Sequence, residues 1–135
     1  MNNPAAALHH FLYFSQLAPD ESPTCVADIL RTARAFNAHH DLTGVLIFDG
    51  LRFCQYLEGE RQTVLPLLEV IKLDPRHVDV VVRSCAPIQI RLFDRWSMAY
   101  AHDAEGEVLV RLADAEAHLL MPRLQELLPA LDAEA

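Results

Sequence analysis

Three polar side chains in this sequence could act together in chemistry: one can give up an electron, and the other two can recognise a ligand by hydrogen bonds. Tyr13 carries a phenol, which can release an electron and a proton. Asn37 and Gln55 carry carboxamides, each of which offers two N–H donors and one acceptor oxygen. Brought together, these groups would suit a planar polar ligand that exchanges electrons.

Gln55 is the most informative of the three. The run 51–59 alternates in the way that predicts a β-strand, and Leu51, Phe53 and Leu57 share the face of Gln55. Burying a carboxamide without partners costs about 1–3 kcal/mol. We therefore expect polar partners for Gln55 inside the fold.

The elements that would position Tyr13 and Asn37 precede this strand. Residues 8–15 predict a first strand with Tyr13 on one face. A helix is predicted to begin at Ser22, a good N-cap, and to end near His39 and His40. Its apolar stripe comprises Val26, Ile29, Leu30 and Ala33, with Asn37 next on the stripe. Asn37 is therefore expected to point toward the core.

The later elements complete an α+β pattern. Residues 42–48 predict a strand that enters a tight hairpin at Asp49-Gly50, before the Gln55 strand. A second helix is predicted from Gln62 to Asp74, with Pro66 in or close to its first turn. Two further strands are predicted over 78–83, buried on both faces, and over 94–101.

The order βαββαββ fits a ferredoxin-like α+β sandwich, with two helices on one face of a mixed sheet. From Glu107 onward the pattern is helical, and Pro122 and Pro129 interrupt it. Its apolar stripe comprises Leu120, Leu124, Leu127, Leu128 and Leu131. We expect a domain over 1–103 and a helical extension over 104–135 that covers the other sheet face or a neighbouring subunit.

Composition excludes several classes of function. The 135 residues carry a net charge of −8, which disfavours direct binding to nucleic acid. The sequence shows neither a signal peptide nor a membrane span, so a cytoplasmic location is expected. From this length we expect one domain without a separate output domain. The adjacent histidines at 9–10 and 39–40 lack a third ligand at zinc spacing, so no metal site is expected.

The predicted layer between sheet and helices suits a planar heterocycle. Two carboxamides complement an edge that alternates carbonyl oxygens with an N–H, as in a flavin or a pterin. Ile29 and Ile71, one from each helix, can lie against the two faces of such a ring. The phenol of Tyr13 adds a redox-active hydrogen donor.

Five motifs in this order resemble the BLUF domain, a blue-light sensor that binds flavin noncovalently between two helices of a ferredoxin-like fold. They are Leu12-Tyr13-Phe14-Ser15, Asn37 five residues before Leu42-Thr43-Gly44, Phe53-Cys54-Gln55-Tyr56-Leu57-Glu58-Gly59, Asp74-Pro75-Arg76-His77 and Trp96-Ser97-Met98. The resemblance covers roughly Leu8 to Ala101. Each motif is weak alone, but the ordered set is specific.

The resemblance implies a role for each of these residues. Tyr13 would be the electron and proton donor, Gln55 the switching amide, and Asn37 the partner of the pyrimidine edge. Trp96 and Met98 would lie on the strand that reports the switch. The implied flavin-binding residues are Tyr13, Ile29, Asn37, Gln55, Ile71, Lys72, Asp74, Arg76, His77 and Met98.

Two positions depart from the family pattern. Phe36 stands where a polar contact to the ring is common, and Val70 stands where a basic residue is common. Arg76 and Lys72 are the substitutes for a clamp on a flavin phosphate. FAD is the expected cofactor, with FMN and riboflavin as alternatives.

The resulting hypothesis is a photoreceptor without enzymatic turnover that signals to a separate protein and forms a homo-oligomer. One alternative is a flavin-independent small-ligand or dimerising regulatory module of the same fold. Another is an enzyme of acylphosphatase-like architecture, but the loop 16–19 after the first strand has no glycine for an anion site.

Overall fold

The protein folds into one mixed sheet with helices on both faces. The structure, a computed structural model, describes residues 7–131. Its elements are β1 (Leu8–Leu17), α1 (Cys25–His39), β2 (Thr43–Phe48), β3 (Arg52–Glu60), α2 (Arg61–Lys72), β4 (His77–Pro87), β5 (Ala99–His102), α3 (Glu107–Ala113) and α4 (Leu120–Leu127). The strand order is β4-β1-β3-β2-β5, and only the β2–β5 pair is parallel. The predicted α+β, ferredoxin-like class is confirmed.

Alternation along the strands divides the core into two layers. On β3, Phe53 and Leu57 pack under α1 and α2, whereas Cys54 and Tyr56 pack under α3 and α4. Gln55 shares the α1/α2 side by its position in the strand. The C-terminal helices therefore cover the second sheet face, as predicted.

The β2–β3 hairpin confirms the turn predicted at Asp49-Gly50. Gly50 adopts a φ of 101°, which favours glycine, and Asp49 Oδ1 accepts hydrogen bonds from the N–H groups of Leu51 and Arg52. Leu51 lies in this turn and is 73% exposed. The prediction that Leu51 shares the buried face of Gln55 was wrong, because the strand begins only at Arg52.

The prediction that strand 78–83 is buried on both faces was wrong. β4 pairs only with β1 and forms an edge of the sheet, and Val81 is 54% exposed. Valine favours strands at an edge as well as in the middle of a sheet, so the run of valines identified the strand but not its place.

The last strand is shorter than predicted. β5 begins at Ala99 instead of Asp94, because residues 93–98 bend before they reach the sheet. Within this bend, the N–H of Trp96 donates to the carbonyl of Phe93, and the carbonyl of Trp96 accepts from the N–H of Gly44.

Both helices on the first sheet face begin near their predicted positions. α1 begins at Cys25, and Ser22 Oγ accepts a hydrogen bond from the N–H of Thr24 just before it. α2 begins at Arg61, so Pro66 lies inside the helix and outside its first turn. Proline has no N–H, so the helix lacks the bond that this position would give to the carbonyl of Gln62.

The C-terminal helices are anchored on the sheet by leucines and by one arginine. Leu120, Leu124, Leu127 and Leu128 are buried in the second core layer, while the side chain of Leu131 lies outside the described residues. Arg83 of β4 donates to the carbonyls of Ala113 and Ala115 at the end of α3. The boundary between 103 and 104 stays a prediction.

The buried His10 generates a prediction about pH. Its Nε2 lies 2.8 Å from Ser84 Oγ, while Nδ1 has no partner among residues 7–131. Burial, and then the neighbouring His9, lower its pKa, although Glu58 opposes this. The folded protein thus binds the His10 proton less readily than the unfolded chain, so stability falls as pH drops through about 6.5.

We therefore expect the melting temperature of the wild type to be lower at pH 5.5 than at pH 7.5. In His10→Gln the difference between the two melting temperatures should be smaller. Calorimetry at both pH values measures this difference. His118→Gln is the matched control, because His118 is exposed. An unchanged pH dependence in His10→Gln would contradict the assignment to His10.

Candidate functional site

The centre of the site is a hydrogen bond between neighbouring strands. Tyr13 of β1 and Gln55 of β3 are register partners, and Tyr13 Oη donates to Gln55 Oε1 over 2.5 Å. Both side chains are buried. Burial raises the pKa of Tyr13 well above its usual value, so the phenol keeps its proton. The polar partner expected for Gln55 is therefore Tyr13.

Asn37 is held by a second hydrogen bond. It lies in the last turn of α1, is 1% exposed, and donates from Nδ2 to the carbonyl of Ser97 over 2.7 Å. This bond ties the end of α1 to the segment that precedes β5. The expectation that Asn37 points into the fold is confirmed.

A cavity of about 790 Å³ lies in the α1/α2 layer. Its volume is within the range of small-molecule and cofactor sites. Eight residues predicted to bind cofactor line it, namely Tyr13, Ile29, Asn37, Gln55, Ile71, Asp74, Arg76 and His77. The fold thus brings together side chains from three strands, two helices and the turn after α2.

The amide groups leave one donor and one acceptor for a ligand. Gln55 Oε1 is occupied by Tyr13, and Asn37 Nδ2 is occupied by Ser97. Among the described residues, Gln55 Nε2 and Asn37 Oδ1 have no hydrogen-bond partner, and both side chains line the cavity. A ring edge with both carbonyl oxygens and an N–H complements this pair, so the residues present fit a flavin.

One end of the cavity carries an ion pair. Arg76 Nη2 lies 2.6 Å from Asp74 Oδ2, and this pairing lowers the pKa of Asp74. The partial neutralisation limits the charge that Arg76 can offer to a phosphate.

His77 is fixed at the same end by two contacts. Its Nε2 lies 2.6 Å from the carbonyl of Ile71, and its Nδ1 lies 2.8 Å from Ser15 Oγ. A carbonyl only accepts, so Nε2 carries a proton and donates it to the Ile71 carbonyl, while Nδ1 is paired with the Ser15 hydroxyl. The His77 ring packs edge-on against Tyr13.

Two residues expected to bind cofactor do not line the cavity. Lys72 Nζ pairs with Glu69 over 2.9 Å, since both lie on one face of α2. Met98 is buried in the core on the side of Tyr13, and its carbonyl accepts from Arg34 Nε over 2.9 Å. Met98 therefore lies in the core beside the site, but it does not form part of the cavity wall.

The predicted strand over 94–101 would place Trp96 and Met98 on one face, and this was wrong. Trp96 packs on the α3/α4 side, with its ring stacked on Phe93 at 5.9 Å between centroids. Strand alternation does not hold here, because residues 93–98 are bent. The segment thus has side chains in both core layers.

The sequence did not indicate Arg34 or His40 as residues of the site, and it indicated Phe36 only as a departure from the family pattern. Arg34 is an ordinary helix residue until the fold places the Met98 carbonyl beside it. Phe36 and His40 line the cavity, with their ring centroids 4.2 Å apart. Their spacing of four residues on a helix was the only available indication of this contact.

Comparison with known proteins places the chain in a family. The profile of BLUF, described as sensors of blue-light using FAD, matches residues 8–99, and the chain belongs to the BLUF family. The chain is 38% identical over 90 residues to photoactivated adenylate cyclase subunit beta of Euglena longa. The aligned region covers 66% of this chain and 10% of the relative. It thus spans only about a tenth of that relative's length.

Two solved structures are similar over most of the chain. The dark state of BlrB, a BLUF protein, has a TM-score of 0.79 and 26% identity, covering 93% of this chain and 98% of BlrB. The photo-activated state of BlsA has a TM-score of 0.80 and 29% identity, covering 90% of this chain and 94% of BlsA. The resemblance carried by the five motifs is confirmed.

Residues 7–131 lack two further features. This part of the chain contains no group of three or more histidine, cysteine, aspartate or glutamate side chains that could hold a metal ion. Nor does it contain a helix long and apolar enough to cross a membrane.

The Asn37 bond generates a stability prediction. Asn37→Ala leaves the Ser97 carbonyl without its partner, so we expect the free energy of unfolding to fall by about 1–3 kcal/mol in urea titrations. Arg31→Ala is the control on the same helix, because Arg31 makes only an exposed ion pair with Asp28. Equal losses in both variants would show that the Asn37 bond contributes nothing specific.

Proposed function

We propose that this protein senses blue light through FAD held noncovalently in the α1/α2 cavity, with Tyr13 and Gln55 as the photoactive pair. The observation that carries the proposal is the Tyr13–Gln55 hydrogen bond at the wall of a cavity of about 790 Å³. Membership of the BLUF family supports the same function.

The ring of the flavin would be held by four side chains. Ile29 and Ile71 come from opposite helices and would lie against its two faces. Gln55 Nε2 would donate to a carbonyl oxygen of the ring, and Asn37 Oδ1 would accept from its N–H. FMN and riboflavin share this ring, so the choice of FAD rests on contacts beyond it.

A bound flavin supplies the absorption of blue light and, once excited, a strong tendency to accept an electron. Tyr13 would give up that electron, and its proton would move along the hydrogen bond to Gln55 Oε1. The raised pKa of Tyr13 keeps the proton available in the dark. When electron and proton return to Tyr13, nothing is oxidised overall.

Gln55 is the residue that retains the effect of the light. During the return of the proton its amide can rotate or change tautomer, which exchanges the donor and the acceptor facing the ring. Such a local change in hydrogen bonding can bias an element with two arrangements. The segment Ser97–Met98, held by Asn37 and Arg34, is the proposed element.

The proposed output is a change in binding to a separate protein, without turnover by this chain. BLUF relatives include the beta subunit of a photoactivated adenylate cyclase, so a BLUF domain can be part of a light-controlled protein. A homo-oligomer is proposed for the assembled state.

The cofactor assignment predicts a coloured protein. Purified protein is expected to be yellow, to release FAD on denaturation as identified by mass spectrometry, and to shift its absorption reversibly to the red under blue light. Protein that is colourless and takes up no flavin on refolding would overturn the proposal.

The photoactive pair predicts the behaviour of two variants. Tyr13→Phe removes the electron and proton donor, and Gln55→Leu removes the amide, so both should bind flavin but lose the normal red shift in light-minus-dark spectra. Tyr100→Phe is the control, since Tyr100 is outside the cavity wall. A normal red shift in Gln55→Leu would show that the amide is not the switch.

A further inference from the structure

Glu58 is a fully buried acidic residue that the proposed light reaction does not use. It lies on β3, three residues after Gln55, and its side chain is on the opposite sheet face among α3/α4-side residues. A buried carboxylate is costly unless donors surround it. Its surroundings therefore indicate what the fold requires of it.

Four donors converge on this carboxylate. Oε1 accepts from Tyr56 Oη over 2.9 Å and from the N–H of Leu92 over 2.7 Å. Oε2 accepts from Thr43 Oγ1 over 2.9 Å and from the N–H of Phe93 over 2.8 Å. Glu58 thus binds the backbone of the β4–β5 connection to the strand that carries Gln55.

The same connection has a second anchor at its beginning. Arg91 donates from Nη1 to Thr43 Oγ1 and from Nη2 to the carbonyl of Asp41, just after α1. Thr43 therefore links Arg91 to Glu58. Residues 91–93 are fixed to both β2 and β3.

The far end of the connection is held by the functional site. The carbonyls of Trp96, Ser97 and Met98 accept from Gly44 N, Asn37 Nδ2 and Arg34 Nε, respectively. Between the two ends, the Phe93 ring packs on Trp96 and against Tyr56. The segment is thus clamped at 91–93 and attached to the site at 96–98.

We propose that Glu58 is a positioning residue of the light switch: it fixes residues 92–93, so that a change at Gln55 moves only the Trp96–Met98 part of the connection. This inference rests on the proposed function. The clamp restrains the movement of Trp96–Met98 between two arrangements. Loosening it lowers the barrier between them and speeds the return to the dark state.

Glu58→Gln tests this proposal with little change in shape. An amide has one acceptor oxygen, and its NH2 group cannot accept from a backbone N–H. One of the two N–H groups of Leu92 and Phe93 therefore loses its partner. We expect normal flavin binding and a normal initial red shift, but dark recovery faster by at least about threefold, since losing a bond to a charged acceptor can change a rate about tenfold.

The chain contains a single tryptophan, so fluorescence gives a second readout at the clamp. Trp96 emission in Glu58→Gln should be quenched more readily by acrylamide than in the wild type. Glu60→Gln is the matched control on the same strand, because Glu60 is exposed. If Glu58→Gln does not fold, Tyr56→Phe tests the same proposal, because it removes one hydrogen-bond donor from the carboxylate. Dark recovery should then also be faster than in the wild type.

Leu124→Ala distinguishes the proposed positioning role of Glu58 from a general contribution to stability. This variant creates a cavity in the same core layer without touching Glu58. Recovery that is unchanged in Glu58→Gln, or that is accelerated equally in Leu124→Ala at matched loss of stability, overturns the proposal. A wild-type protein without any red shift overturns the proposed function, and this inference with it.

Discussion

The structure depends on one buried hydrogen bond, from Tyr13 to Gln55 across the central strand pair. Because β1 and β3 are antiparallel and in register at this point, both polar side chains emerge on the same sheet face. Both side chains are almost fully buried, so their polar atoms need each other or a ligand as partners. The bond occupies the acceptor of Gln55 and leaves its donor facing the cavity, which makes the amide sensitive to what binds there.

The sheet separates the α1/α2 layer from the layer covered by the C-terminal helices. The cavity lies on the α1/α2 side, whereas α3 and α4 close the other side with leucines. Residues 88–98 contact both layers, since Phe93 and Trp96 pack on one side and Met98 on the other. A change beside the cavity therefore has a short physical route to the second face.

The charged side chains near the site are paired with each other or surrounded by hydrogen-bond donors. Burial keeps Tyr13 protonated, and the ring of His77 is held by Ser15 and the Ile71 carbonyl. The carboxylate of Asp74 is paired with Arg76 at the end of the cavity. The buried carboxylate of Glu58 lies on the other face, where hydroxyls and backbone N–H groups surround it.

The sequence by itself determined the class of fold, the ordered motifs and the faces of Tyr13, Asn37 and Gln55. These follow from local periodicity, because alternation in a strand and spacing on a helix fix which side chains share a face. Periodicity could not place β4 at the edge of the sheet or exclude Lys72 from the cavity, since both depend on which elements become neighbours.

Only the tertiary structure decided the course of residues 88–98. Their backbone groups bind Glu58, Gly44, Asn37 and Arg34, all distant in sequence, and these contacts override the local preference of residues 94–98 for a strand. For the same reason Trp96 and Met98 separate into different layers. A bent segment has no fixed alternation, and its path is set by the partners that its carbonyl and N–H groups find.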